Sequence, residues 1–207
     1  MTRYLEGHVA VDQGNSFPVS GLGSRAGVGS AKRPVYRSTK TYDHSEGLSC
    51  CFRQWRATHS HCRLVHGYAL AFRFVFATRE LDGNNWCFDF GGLKPVRAWL
   101  HEMFDHTMLV AEDDPELHDF QGLEGKGLVA LRVLPRVGCE AIAEYVFGYV
   151  SRFVADRTAG RVWLETVEVS EHGGNSAVYE EDTHRASGVE QISAVATGQG
   201  MARLLGQ

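Results

Sequence analysis

The sequence predicts an α+β fold, an antiparallel sheet with two long helices on one of its faces. Three observations carry this expectation. Residues 67–79, GYALAFRFVFATR, place Tyr68, Leu70, Phe72, Phe74 and Phe76 on one side at a period of two. Residues 92–104 and 139–155 each repeat apolar side chains at steps of three and four, the stripe of a half-buried helix. The signals run strand, strand, helix, strand, helix, strand, strand, an order that suits helices inserted between strands of an antiparallel sheet.

Each element has its own basis. Residues 36–57 form a strand candidate bent at Gly47. In 67–79 the alternate residues Ala71, Val75 and Ala77 are also apolar, so the second face of that strand is partly covered. LDGNN makes a turn, and residues 86–90 form a short strand. The first helix, 92–104, gathers Leu93, Val96, Leu100, Met103 and Phe104 on one face. Pro95 falls in its first turn, where no backbone hydrogen bond is lost. EDDPEL, residues 112–117, resembles a helix start with acidic side chains near the positive end of the dipole. A strand follows at 128–134. In the second long helix Ile142, Tyr145, Val146, Tyr149, Val150 and Phe153 recur at helical spacing. Strands at 162–169 and 176–179 close the pattern.

The chain has 207 residues, enough to bury a full core without disulfide staples. Residues 1–34 mix Gly, Ser and Pro with few large apolar side chains, and are expected to be a flexible extension. The folded domain is expected over 35–182, and 183–207 is a polar tail. The net charge of −4 argues against a whole-surface affinity for nucleic acid. No apolar run approaches the ~20 residues of a membrane span. Five Cys without a CxxC spacing, and a start without a secretory pattern, point to free thiols in the cytoplasm.

Chemistry concentrates in three places. In THSHCRLVHGY, His59, His61, Cys62 and His66 lie just before the strongest strand. Three imidazoles with an open fourth position describe a catalytic zinc site, although a solvated His-Ser-His tip is the ordinary alternative. Cys62 beside imidazoles and a cation is either a base or nucleophile, or a buried filler. In FDHTML, Asp105 can orient His106 for proton transfer, or both can simply end the helix. Glu171, at a strand end before a Gly-rich turn, is either an exposed carboxylate or a grip for a planar ring with two adjacent N–H donors.

Together these clusters resemble the family of 6-pyruvoyltetrahydropterin and 6-carboxytetrahydropterin synthases. Cys62-Arg-Leu-Val-His66-Gly67 is similar to the family's Cys-x-x-x-His-Gly-His stretch. Trp86-Cys-Phe-Asp89-Phe90-Gly-Gly-Leu93-Lys94 resembles its passage ending in Asp-Phe-x-x-Leu-Lys, and Phe104-Asp105-His106 its Leu-Asp-His. Gly138-Cys139-Glu140 sits where the family has a Thr/Ser-rich segment ending in Glu. Val167-Glu168-Val169-Ser170-Glu171 resembles the late strand whose Glu anchors the pterin. The likeness spans roughly 36–179.

The resemblance implies the tunnelling fold, in which sheets of three subunits close into a barrel and two trimers stack into a hexamer, with active sites between subunits. It implies 7,8-dihydroneopterin triphosphate as substrate and Zn2+ as cofactor. Cys62 would be the proton-accepting base, and Asp105 with His106 the second acid–base pair. Glu171 would grip the pterin, with Glu140 helping to hold it. Tyr68 stands where the family has its third zinc-binding His, so the metal is expected on His66 with His61 and His59. Trp55-Arg-Ala57-Thr-His59 fits the spacing of the upstream ligand. The implied activity is that of a 6-carboxytetrahydropterin synthase on the route to 7-deazaguanine bases such as queuosine. The alternatives are a pyruvoyl-forming triphosphate lyase and a pterin-binding homologue without catalysis.

Overall fold

The computed structural model describes residues 34–181. The extension and tail expected at 1–34 and 183–207 lie outside the described residues, apart from Pro34. The folded part contains seven strands and three α-helices: β1 Tyr36–Tyr42, β2 Leu48–Phe52, β3 His66–Thr78, α1 Lys94–Phe104, β4 Thr107–Ala111, α2 Leu117–Gly125, β5 Leu131–Leu134, α3 Cys139–Thr158, β6 Val162–His172 and β7 Asn175–Glu180.

β3 organises the sheet. Its first half pairs with β2 and its second half with β1, both antiparallel, while β6 runs antiparallel along its other side. The two short strands are one chain path bent where Asp43 caps a 3-10 turn and Gly47 takes φ 73°, as the bend at Gly47 anticipates. The remaining order is β5-β4-β2-β3-β6-β7. Contrary to a purely antiparallel reading, the sheet is mixed, because β4 runs parallel to both β2 and β5.

The alternation in β3 works as expected. Leu70, Phe72, Phe74 and Phe76 are fully buried in one core with Leu100 and Phe104 of α1 and Ile142, Val146 and Val150 of α3. Phe72 and Phe104 meet with ring centroids 5.1 Å apart. The second face is covered too, with Ala71, Val75 and Ala77 buried and Arg73 exposed.

Two expectations fail for local reasons. Residues 86–90 form no strand. Asp82 accepts hydrogen bonds from the backbone of Asn84 and Trp86, and Asp89 accepts from Gly91 at the start of a 3-10 turn. Side chains thus take the place of a ladder, while the apolar pattern comes from Phe88 stacking on Phe76. Conversely, β4 begins two residues after α1 without a conventional turn. His106 makes the reversal itself at φ 55°, and its N–H donates to Ser49 at 2.7 Å. EDDPEL does lead into α2, whereas the 128–134 strand shrinks to Leu131–Leu134.

The loop between β2 and β3 is tied down from the side. Arg53 donates to both oxygens of Asp114, at 2.9 and 2.5 Å, and the Asp114 side chain is 1% exposed. Trp55 and Arg56 both donate to Asp113. Hydrogen bonds from Arg53 hold the Asp114 carboxyl below the usual range; burial opposes this and the Glu116 N–H adds to it. A carboxyl depressed in the folded state adds stability above its unfolded pKa of about 4, and that stability is lost as pH falls through the folded value. Asp114→Asn should therefore cost about 1–3 kcal/mol at pH 7 and flatten the acid limb of stability, as read by urea unfolding between pH 7 and pH 3. Among the described residues no helix is long and apolar enough to cross a membrane.

Candidate active site

The sheet's core face opens where β3 begins, β6 ends and α3 starts. Alternation brings His66 and Tyr68 onto the same side as Leu70, but at the mouth, where both are half-buried. Phe52 forms the floor, 5.2 Å from the His66 ring and 6.3 Å from Tyr68. His66 and Tyr68 meet edge to face at 5.5 Å, and His172 from the end of β6 lies 6.0 Å from Tyr68. His66 Nδ1 lies 2.8 Å from the carbonyl of Leu64, which can only accept. The proton therefore sits on Nδ1 and the lone pair on Nε2.

Cys62 rides in a 3-10 turn, His61–Arg63, opened by Ser60, whose hydroxyl accepts from the Cys62 N–H at 3.1 Å. The Cys62 carbonyl accepts from Gln54 at 2.8 Å, which closes the loop. Gln54 in turn packs on Gly138, where a Cβ would lie 2.4 Å from its side-chain nitrogen and φ is +110°. A side chain at 138 would displace Gln54 and strain the backbone at the entry to α3.

At that helix start Cys139 is buried beside Glu171. Burial, the charges of Glu171 and Glu140 and a hydrogen bond to Glu171 push the Cys139 thiol up to about 12. It thus stays protonated near neutral pH rather than serving as a nucleophile. Burial and the charge of Glu171, with smaller contributions from Cys62 and Cys139, raise the Tyr68 phenol above its ordinary value. Tyr68 therefore stays a neutral hydroxyl near pH 7. The charge of Glu171 thus bears on both Tyr68 and Cys139, and Cys62 bears on Tyr68, with Glu140 exposed on the first turn of α3. Sequence reasoning did not single out Cys139 as part of the site; its place at the family's Thr/Ser position was the available signal.

The second cluster is separate within one chain. Asp105 ends α1, and its Oδ1 lies 2.5 Å from His106 Nδ1. That hydrogen bond, opposed by burial and helped by His101, holds the Asp105 carboxyl below the usual range. The His106 side chain is 89% exposed. It lines a shallow cavity of about 290 Å³ with Ser49, Cys51 and Met108, strand positions that alternate away from the helix-covered face. In register Tyr68 faces Cys50 of β2, and Cys50 faces Thr107 of β4. Two strand spacings, about 10 Å, thus separate the backbone positions of the two clusters.

The three imidazoles expected to hold zinc are not gathered. His59 and His61 are exposed on the loop, whereas His66 lies at the strand mouth. Among the described residues no three His, Cys, Asp or Glu side chains are grouped to hold a metal ion. Tyr68, where the resemblance expects a third imidazole, is a neutral phenol beside His66, which does not fit a three-imidazole centre.

The profile of the 6-pyruvoyl tetrahydropterin synthase family matches residues 41–182. No curated protein matches the chain. Among solved structures, an uncharacterized protein from Wolinella succinogenes is similar at a TM-score of 0.60 and 19% identity, covering 72% of this chain and 99% of its own. A Plasmodium vivax 6-pyruvoyltetrahydropterin synthase is similar at a TM-score of 0.53 and 13% identity, covering 72% and 98%. The Plasmodium falciparum 6-pyruvoyl tetrahydropterin synthase gives 0.53 and 14%, covering 71% and 98%. These likenesses bear on the fold, which is the α+β arrangement of the tunnelling fold. With the profile covering most of its length, the chain belongs to the 6-pyruvoyl tetrahydropterin synthase family.

Proposed function

We propose that the chain is a pterin lyase acting on 7,8-dihydroneopterin triphosphate, with a 6-carboxytetrahydropterin product used for 7-deazaguanine bases such as queuosine. The observation that carries this reading is the half-buried Glu171 carboxylate near the end of β6, whose charge bears on both Tyr68 and Cys139. A carboxylate partly withdrawn from water suits the paired N–H donors of an aminopyrimidinone edge. Glu140 adds a second acceptor at the rim. Cys62, which bears on Tyr68, takes a proton from the substrate side chain. His106, oriented by Asp105, is the second acid–base group.

Because Asp105 and His106 lie apart from the anchor in one chain, the reading has them meet the anchor of another copy. Strands β5 and β7 are the ends of the strand order, and such edges favour pairing or burial across subunits. Light scattering of the full chain should give three or six times 22.9 kDa. A stable monomer would count against this shared site. Calorimetric titration with 7,8-dihydroneopterin triphosphate tests the anchor itself, and saturable one-to-one binding per chain is the expected result. A cytoplasmic location and the absence of a nucleic-acid partner complete the reading.

Tyr68 and the scattered His59, His61 and His66 favour a second reading, a pterin-binding homologue without the metal chemistry implied by resemblance. Zinc content after purification without chelator separates the two. About one equivalent per chain supports a ligand set assembled from these imidazoles. Less than about a tenth of an equivalent, with no product, supports the binding protein.

A further inference from the structure

The Asp105–His106 pair does not stand alone. His101 lies one turn before Asp105 on α1, and Arg97 one turn before His101. Asp105 presents a different oxygen to each imidazole: Oδ1 to His106 Nδ1 at 2.5 Å and Oδ2 to His101 Nδ1 at 3.4 Å. His101 Nε2 lies 3.4 Å from Glu46 Oε2, and the same oxygen accepts from Arg97 Nε at 2.8 Å. Glu46 belongs to the 3-10 turn that bends β1 into β2. The row Arg97, Glu46, His101, Asp105, His106 therefore joins the sheet's bend to the end of α1. Its inner members are sheltered, with side-chain exposures of 21% for Glu46, 32% for His101 and 31% for Asp105, against 89% for His106. Electrostatic interactions in that sheltered stretch are less screened than those at its exposed tip.

We propose that His101 is a positioning residue for the Asp105–His106 pair. The neutral ring has one N–H, which it donates from Nδ1 to Oδ2 of Asp105. Carboxylate rotation is thereby limited, and Oδ1 stays on His106 Nδ1. His106 is kept in the Nδ1–H form with Nε2 free to accept or return a proton. This inference rests on the reading of Asp105 and His106 as an acid–base pair, but its structural content can be measured without substrate.

The test uses nitrogen NMR of the His106 ring in the full chain above its titration range. The wild type should show the Nδ1–H tautomer, and Asp105→Asn should lose that preference. His101→Ala should move His106 most of the way toward Asp105→Asn. His101→Gln, whose amide can still donate to Asp105 at the i, i+4 spacing, should stay near wild type. His101→Leu, which keeps the bulk of the ring but cannot donate, should shift the tautomer in the same direction as His101→Ala, and provides the reading if His101→Ala does not fold. A His106 tautomer unchanged in His101→Ala, or in His101→Leu where that variant must stand in, would overturn the proposal. So would a His101→Gln chain that behaves like His101→Ala. Where turnover is measurable, His101→Ala should lower kcat about 10- to 100-fold with KM little changed. Absence of turnover in the wild type would count against the lyase reading alone, since the tautomer is read on the free protein.

Discussion

Replacing Cys62 with alanine should lower turnover of 7,8-dihydroneopterin triphosphate by about 100- to 10,000-fold, the usual contribution of a positioned base. Pterin binding should stay nearly intact. The position supports both halves of this expectation. Cys62 sits in a capped turn whose carbonyl is bonded to Gln54, so the loop keeps its geometry when the thiol is removed. Tyr68, on which Cys62 bears, keeps its own ring contacts with Phe52 and His66. The other thiols do not offer a substitute. Cys50 and Cys139 are buried and pushed up to about 12, mainly by burial, and Cys51 and Cys87 are raised by burial as well. Single-turnover kinetics with parallel binding titration measures the effect. Unchanged turnover would remove Cys62 from the reaction.

Glu171→Gln should weaken pterin binding by about 10- to 100-fold, the range expected when charge-assisted hydrogen bonds lose the charged acceptor. Glutamine keeps one acceptor oxygen but replaces the other with a donor, which faces the pterin's own donors. The fold should change little. Glu171 is half-buried near the end of β6 and is not part of the Phe72, Phe104 and Val146 core. Tm should stay within about 3 °C of the parent. A chain that melts far lower yet binds pterin with unchanged affinity would make Glu171 a structural residue.

Sequence legibility followed the physical range of each signal. β3 could be read because Tyr68, Leu70, Phe72, Phe74 and Phe76 recur at every second position, the last four of them fully buried. α1 and α3 could be read because each stripe packs on that face. β4 was hidden because it has five residues, follows α1 directly and pairs in parallel with strands distant in sequence. The false strand at 86–90 arose from Cys87 and Phe88, which are buried by loop packing while Asp82 and Asp89 satisfy the backbone. In the site, the motif order pointed to Cys62, Asp105, His106 and Glu171. Folding contacts were needed to find the influence of Glu171 on Cys139 and the approach of Glu46 to His101, whose partners are 55 residues apart. His59 and His61 are exposed on the loop and His66 begins β3, and among the described residues no group of three His, Cys, Asp or Glu side chains is placed to hold a metal ion.

Incubation of the full chain with 7,8-dihydroneopterin triphosphate, followed by mass identification of the product, tests the proposed lyase most directly. The account predicts 6-carboxytetrahydropterin, formed by the wild type and lost in Cys62→Ala. Recovery of unchanged substrate from a chain that binds it would contradict the lyase and leave a pterin-binding protein of the same family.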